Sequence, residues 1–178
     1  MRKLPHLLPL LLLFILVLLT SCSSTLPDNL HEATFVRVVD GDTLIANIDG
    51  KEEYVRLILV DTPETKHPKQ PVQPFGPEAS AFMEHTYKPS DTIQLEYGPE
   101  KRDIYDRILA YVYTEDGDMF NKLLLKKGLA RVAVYPPNDK YVDEFRKLEQ
   151  KAKKQKIGIW SIDGDVTEDD FNMDAIKP

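Results

Sequence analysis

Five short segments of the chain are rich in apolar and β-branched residues, and in part of them apolar and polar residues alternate, which is the pattern of β-strands that cover a core. The five predicted strands are residues 33–39, 43–48, 52–60, 93–97 and 108–113. Asp49-Gly50, between the second and third segments, favours a tight hairpin, because both residues tolerate positive φ angles. Asp40-Gly41-Asp42 predicts another tight turn, between the first and second strands.

Three other segments have apolar residues at helical spacing. The first begins at Pro77, since proline is favoured at the first position of a helix. The second covers residues 120–124 and is ended by Gly128, and the third, rich in lysine, covers residues 141–152 and is ended by Gly158. Short strands with interleaved helices favour a small closed barrel of the OB type.

The first residues of the chain have the pattern of an export signal. Residues 7–19 are almost wholly apolar and follow two basic residues; the run suits the h-region of a secretory signal and is short for a bilayer span. It ends in Leu19-Thr20-Ser21-Cys22, which resembles the lipobox of bacterial lipoproteins, whose cysteine receives a diacylglycerol. The alternative is an ordinary signal peptide with an incidental cysteine. The sequence predicts an exported lipoprotein, anchored through Cys22 to the outer face of the bacterial cell membrane.

These features divide the chain into four regions. They are the signal peptide 1–21, the lipidated cysteine and tether 22–31, a folded domain 32–160 and an acidic, flexible tail 161–178. The predicted mature chain has 21 basic and 29 acidic residues. That balance argues against broad adhesion to nucleic acid but is compatible with a local basic cleft.

Charged residues stand at the ends of the most apolar predicted strands. Asp42 begins one strand, and Arg56 and Asp61 lie near the end of the next. Burying a charge is costly unless it is paired, and the natural partners are a cation for the acids and an anion for the arginine. Calcium takes hard oxygen ligands, which suits Asp42, Asp61 and the backbone carbonyl of Thr62. Taken singly, each aspartate could merely end a strand or shape a turn, as we expect Asp40 to do.

Four segments resemble the staphylococcal nuclease, or thermonuclease, family. They are residues 39–43 (VDGDT), 56–68 (RLILVDTPETKHP), 75–81 (FGPEASA) and 105–111 (YDR, then LAY after Ile108). The similarity extends from about residue 34 to residue 160. It implies an α+β, mainly β fold: an OB-fold-like five-stranded barrel with three α-helices. It also implies a calcium-dependent phosphodiesterase that cleaves single-stranded or denatured DNA and RNA and leaves 3′-phosphate ends.

The resemblance also assigns roles to residues. Asp42, Asp61 and Thr62 hold one calcium ion, and Glu64 acts as the general base that activates water. Arg56 and Arg107 clamp the phosphate, for which a guanidinium offers paired donors. Tyr105 and Tyr135 are the remaining candidates for contact with the substrate. The protein is expected to act as a monomer.

Three residues depart from the family pattern. Relatives usually have a basic residue where this chain has Ile104 and a glycine where it has Asp106, and Val134 stands where a base-stacking tyrosine aligns. We therefore expect an intact catalytic centre with a weaker grip on the substrate. The alternative is an OB-fold lipoprotein that binds nucleic acid or a partner and has little catalytic activity. The histidines lack the spacing of a zinc site, and neither Asp-Gly-Asp sequence continues as an EF-hand loop.

Overall fold

In the computed structural model, five strands close into a barrel in the order β1-β2-β3-β6-β5. All neighbours are antiparallel except β3 and β6, which are parallel. The strands are β1 (His31–Val38), β2 (Thr43–Ile48), β3 (Lys51–Leu57), β4 (Val60–Asp61), β5 (Thr92–Arg102), β6 (Ile108–Tyr113) and β7 (Arg131–Val132). The helices are α1 (Gly76–Thr86), α2 (Phe120–Lys126), α3 (Val142–Gln155) and a 3₁₀ turn (Gly158–Ser161). The predicted five-stranded barrel with three α-helices is confirmed.

The structure describes residues 27, 29–66, 71–164, 166–167 and 171–172. The predicted signal peptide and Cys22 lie outside these residues. Within the described ranges, no helix is both long enough and apolar enough to cross a membrane. In the predicted tail, the Phe171 side chain is buried and its ring lies 5.7 Å from the Arg131 guanidinium. The tail therefore packs on the domain at that residue.

Alternation along the strands places one face of each in the barrel interior. The hairpin at Asp49-Gly50 forms as expected, with φ of 53° and 86°. Leu44, Val55, Leu57, Leu95 and Val112 are among the side chains removed from solvent. Burial of this apolar surface is the main stabilising contribution to the barrel.

The predicted third strand, residues 52–60, is wrong at its end. The barrel strand stops at Leu57, because Leu59 adopts a left-handed conformation (φ 64°) that turns the chain. The buried side-chain amide of Asn121 donates to the Ile58 carbonyl oxygen at 2.9 Å and so stabilises this turn. Val60 and Asp61 then pair with β7 in a separate two-stranded sheet. This departure from the barrel places Asp61 beside the start of β2.

The lysine-rich helix is closed by Lys156 and not, as predicted, by Gly158. α3 stops at Gln155, and Lys156 takes the left-handed conformation that closes it (φ 50°). Gly158 begins the 3₁₀ turn instead, and a β-carbon there would lie 2.0 Å from the Gly128 carbonyl oxygen. This close approach explains the glycine at position 158. Gly128 (φ 65°) ends α2 as predicted.

Candidate active site

A cavity of about 190 Å³ lies at the end of the barrel where β2 begins and β3 ends. Its walls are Asp40, Asp42, Arg56, Asp61, Thr62, Pro63, Glu64 and Arg107. Six of these eight are the residues that the sequence singles out as metal ligands or catalytic groups. Asp42 and Arg107, which are 65 positions apart along the chain, thus line the same small polar cavity.

The turn between β1 and β2 is docked tightly against this cavity. The Asp40 side chain accepts a hydrogen bond from the Asp42 backbone N–H at 3.1 Å, as expected of a turn residue. Gly41 is buried, and a β-carbon there would lie 2.6 Å from both Ala79 of α1 and the Thr62 hydroxyl. Only glycine therefore allows the turn to approach α1 and the end of β4 so closely.

Arg56 ties the two candidate calcium ligands together. Its Nη2 lies 3.1 Å from Asp42 Oδ2 and 3.1 Å from Asp61 Oδ1. Its Nη1 donates to the carbonyl oxygens of Leu57 (2.9 Å) and Val60 (2.8 Å). Burial alone would lower the pKa of Arg56, but the charges of Asp42 and Asp61 outweigh it and raise the pKa. The guanidinium is therefore charged and fixed in orientation.

Sequence reasoning missed a second arginine at Asp61. Arg131 of β7 donates to Asp61 Oδ2 from Nε at 3.0 Å and lies 2.8 Å from it through Nη2. The two residues are 70 positions apart in the chain. The only sign of this contact in the sequence is a basic residue after the apolar pair Leu129-Ala130. That sign does not identify Asp61 as the partner of Arg131.

The cavity carries more negative than positive charge. Four carboxylates and two guanidinium groups line it. Burial and the charge of Asp42 raise the pKa of Asp40 to about 6. The same two causes raise the pKa of Asp61, even though Arg56 and Arg131 oppose them. Carboxylates that disfavour each other's ionisation in this way are stabilised by a bound cation.

The candidate metal ligands in the cavity are carboxylate and backbone oxygens, which are the ligands that calcium prefers. Within the described ranges, no three Asp, Glu, His or Cys side chains have the arrangement of a metal site by themselves. Two carboxylates, one carbonyl and water molecules form an ordinary calcium ligand set. The residues present therefore fit calcium.

Glu64 lies at the rim of the cavity, on a loop that is held in place by hydrogen bonds. Its backbone N–H donates to the Gln73 side chain at 2.7 Å, and its carbonyl oxygen accepts from the Gln73 N–H at 2.9 Å. The Glu64 carboxylate accepts a hydrogen bond from the Lys66 backbone N–H at 2.6 Å. The side chain is thus only partly exposed and can reach a water molecule in the cavity.

Arg107 lies between this cavity and a larger one of about 390 Å³. Its Nε donates to Asp103 Oδ2 at 2.6 Å, and its guanidinium lies 5.4 Å from the centre of the Tyr105 ring. Tyr105 and Tyr135, both exposed, line the larger cavity together with Arg56. Both tyrosine candidates therefore adjoin the two arginines.

The loop that carries Tyr135 is anchored by Asn138. The Asn138 side chain is buried and pairs with both backbone groups of Glu100, each at 3.0 Å. Val134 packs against the hydrophobic core and does not line the larger cavity. Ile104 does line it and is 91% exposed.

The model of the staphylococcal nuclease homologue family matches residues 54–162. The chain belongs to this family. It is 50% identical over 145 residues to the endonuclease YncB of Bacillus subtilis, a match that covers 80% of this chain and 68% of that protein. It is 49% identical over 145 residues to the SPbeta prophage-derived endonuclease YokF of the same organism, covering 80% and 48%. The chain thus spans about half the length of YokF.

Another similar protein comes from a different genus. The chain is 49% identical over 124 residues to the thermonuclease of Staphylococcus intermedius, covering 70% of this chain and 73% of that protein. The names of all three relatives describe nucleases.

Proposed function

We propose that this protein is a calcium-dependent endonuclease that hydrolyses phosphodiester bonds in DNA and RNA and leaves 3′-phosphate ends. The observation that carries the proposal is the cavity in which Asp42, Asp61, Glu64, Arg56 and Arg107 meet. A cation site, a base and two phosphate-binding guanidinium groups within one space are what hydrolysis of a phosphodiester requires.

Asp42, Asp61 and the Thr62 carbonyl would hold the calcium ion. When bound, calcium neutralises charge on a phosphate oxygen and makes a neighbouring water more acidic. Asp40 remains outside this ligand set in our proposal. Its carboxylate adds negative charge to the cavity wall and shapes the turn that carries Asp42.

Glu64 takes the proton from the attacking water. The Lys66 N–H and the Gln73 side chain hold its loop, so that its carboxylate stays at the cavity rim. The water oxygen forms a new bond to phosphorus while the bond from phosphorus to the 5′ oxygen breaks. The phosphate remains on the 3′ oxygen, and the 5′ oxygen leaves as a hydroxyl after taking up a proton.

Arg56 and Arg107 stabilise the charge that develops on the phosphate in this step. Arg56 is fixed by two backbone carbonyls, so little reorganisation is needed when a phosphate arrives. Arg107 is oriented through Nε by Asp103, and its two terminal nitrogens have no hydrogen-bond partner among the described residues. Those nitrogens are the donors available to a substrate.

The larger cavity would hold the base next to the cleaved phosphate. Tyr105 and Tyr135 offer aromatic faces there, and Ile104 and Leu109 add apolar surface. A base can reach such a pocket only when it is unstacked, which favours single-stranded or denatured substrates.

The experiment is digestion of denatured DNA and of RNA by the purified protein with calcium, with magnesium and with a chelator. We expect cleavage in calcium only, with 3′-phosphate products identified by end labelling. Cleavage in the chelator would refute the metal assignment. Normal binding of DNA without cleavage in any metal would favour the alternative of a non-catalytic binding lipoprotein.

We also propose that the protein is exported and anchored through Cys22 to the outer face of the bacterial cell membrane. The support is the lipobox-like sequence after an apolar run. Metabolic labelling with a radioactive fatty acid tests it: the wild-type protein should be labelled and Cys22→Ala should not. Equal labelling of both would refute the anchor.

A further inference from the structure

Arg131 and Asp61 face each other across the smaller sheet. β4 and β7 are antiparallel, and the residue directly opposite Asp61 is Arg131. The guanidinium reaches Asp61 Oδ2 with two nitrogens, Nε at 3.0 Å and Nη2 at 2.8 Å. Two nitrogens on one oxygen fix the position of Oδ2 more firmly than a single contact would.

Arg131 is itself held in place. It is 6% exposed, and the Phe171 ring lies 5.7 Å from its guanidinium. The backbone of β7 is bound to α3, since the Val132 N–H donates to Glu149 at 2.8 Å. The guanidinium therefore has little freedom to swing away from Asp61.

The two arginines bind different oxygens of the Asp61 carboxylate. Arg56 contacts Oδ1 and Arg131 contacts Oδ2. The side chain is still 25% exposed, and Oδ1, which accepts from one nitrogen of Arg56, keeps a second lone pair. Rotation of the carboxylate is restricted while a face of it remains open to a cation.

We infer that Arg131 is a positioning residue that holds Asp61 in the orientation needed to bind calcium. This inference rests on the calcium site of the proposed function. Partners of metal ligands typically change metal affinity by about 10–100-fold when they are removed. Arg131 is not among the residues that line the cavity, so its link to the site runs through Asp61.

The sign of the effect separates positioning from simple electrostatics. Arg131 is a cation next to a cation site, so by Coulomb repulsion alone its removal would tighten calcium binding. If Arg131 positions Asp61, its removal should instead weaken calcium binding, because a freely rotating Asp61 must be ordered again when calcium binds. A lysine at this position keeps the charge but loses the two-pronged contact.

The test is the calcium dissociation constant of the purified protein, measured by isothermal titration calorimetry without nucleic acid. We expect Arg131→Gln to weaken binding by about 10-fold or more, and Arg131→Lys to weaken it several-fold although the charge is unchanged. Arg146→Gln, which removes an exposed positive charge from α3, is the matched control and should bind as the wild type does. Thermal unfolding without calcium shows that each variant is folded.

Tighter binding in Arg131→Gln, or wild-type affinity in Arg131→Lys, would overturn the inference and leave the calcium site standing. If Arg131→Gln does not fold, the lysine variant decides alone. A wild-type protein that binds no calcium would overturn both this inference and the proposed cofactor.

Discussion

The Asp42 carboxylate accepts a hydrogen bond from the Thr62 backbone N–H at 2.9 Å, across 20 residues of sequence. This bond joins the turn before β2 to the end of β4, and so it brings two candidate calcium ligands to one place. Asp42 is buried, so the bond is shielded from water. Asp42 therefore has two separable functions, a structural one through the acceptor oxygen and a chemical one through its charge.

Substitution of Asp42 should separate these functions. Asp42→Asn keeps an acceptor for Thr62. It removes the negative charge that raises the pKa of Asp40 and Asp61, but it also removes the ion pair with Arg56. We therefore expect it to be closer in stability to the wild type than Asp42→Ala is, without calcium. Asp42→Ala leaves the Thr62 N–H without its partner and should be less stable by about 1–3 kcal/mol. Both should lose calcium affinity. Denaturant unfolding and calorimetric titration measure the two effects, and wild-type calcium affinity in Asp42→Asn would contradict the assignment.

Asp40 should make the stability of the calcium-free protein depend on pH. Its pKa is raised from 3.8 to about 6 in the folded state, so ionisation of Asp40 disfavours folding as the pH rises through this interval. Asp40→Asn removes that penalty and keeps the turn acceptor. We expect the variant to be more stable than the wild type by about 3 kcal/mol at pH 7, and by less than about 1 kcal/mol near pH 4.

Denaturant unfolding across this pH range measures the difference between Asp40→Asn and the wild type. Asp116→Asn, an exposed substitution in the turn after β6, is the control and should show no such difference. A stability gain at pH 7 that persists unchanged at pH 4 would show that the charge of Asp40 is not its cause.

Ile104 should limit substrate affinity. It lines the larger cavity at 91% exposure, where it offers no charge to a neighbouring phosphate. Ile104→Lys should lower the KM for denatured DNA several-fold at low salt, and the gain should shrink as salt rises, because phosphate contacts are screened. Ile104→Gln separates the charge from the loss of apolar surface. An unchanged KM for Ile104→Lys at low salt would contradict this account.

The sequence identifies the chemistry of the site more completely than its geometry. The alternation of apolar residues predicts the barrel strands, and the hairpin at Asp49-Gly50 forms as its residue types require. The turn at Leu59 is not predictable in this way, because nothing in an apolar run marks one leucine for a left-handed conformation. That turn ends β3 and places Asp61 in the cavity.

Arg131 illustrates why long-range partners remain hidden. β7 has only two residues, which is too short for any periodicity to reveal, and its pairing with β4 depends on the position of both strands in the finished fold. Local patterns specify elements, whereas such pairs arise only when distant elements meet.

In the proposed mechanism, Glu64 activates the water that cleaves the phosphodiester bond. The most direct measurement is the cleavage rate of denatured DNA in saturating calcium by the wild type and by Glu64→Gln, with calcium binding of both measured in parallel. We predict that the variant binds calcium and cleaves about 100- to 10,000-fold more slowly. Cleavage by Glu64→Gln at the wild-type rate would contradict the account.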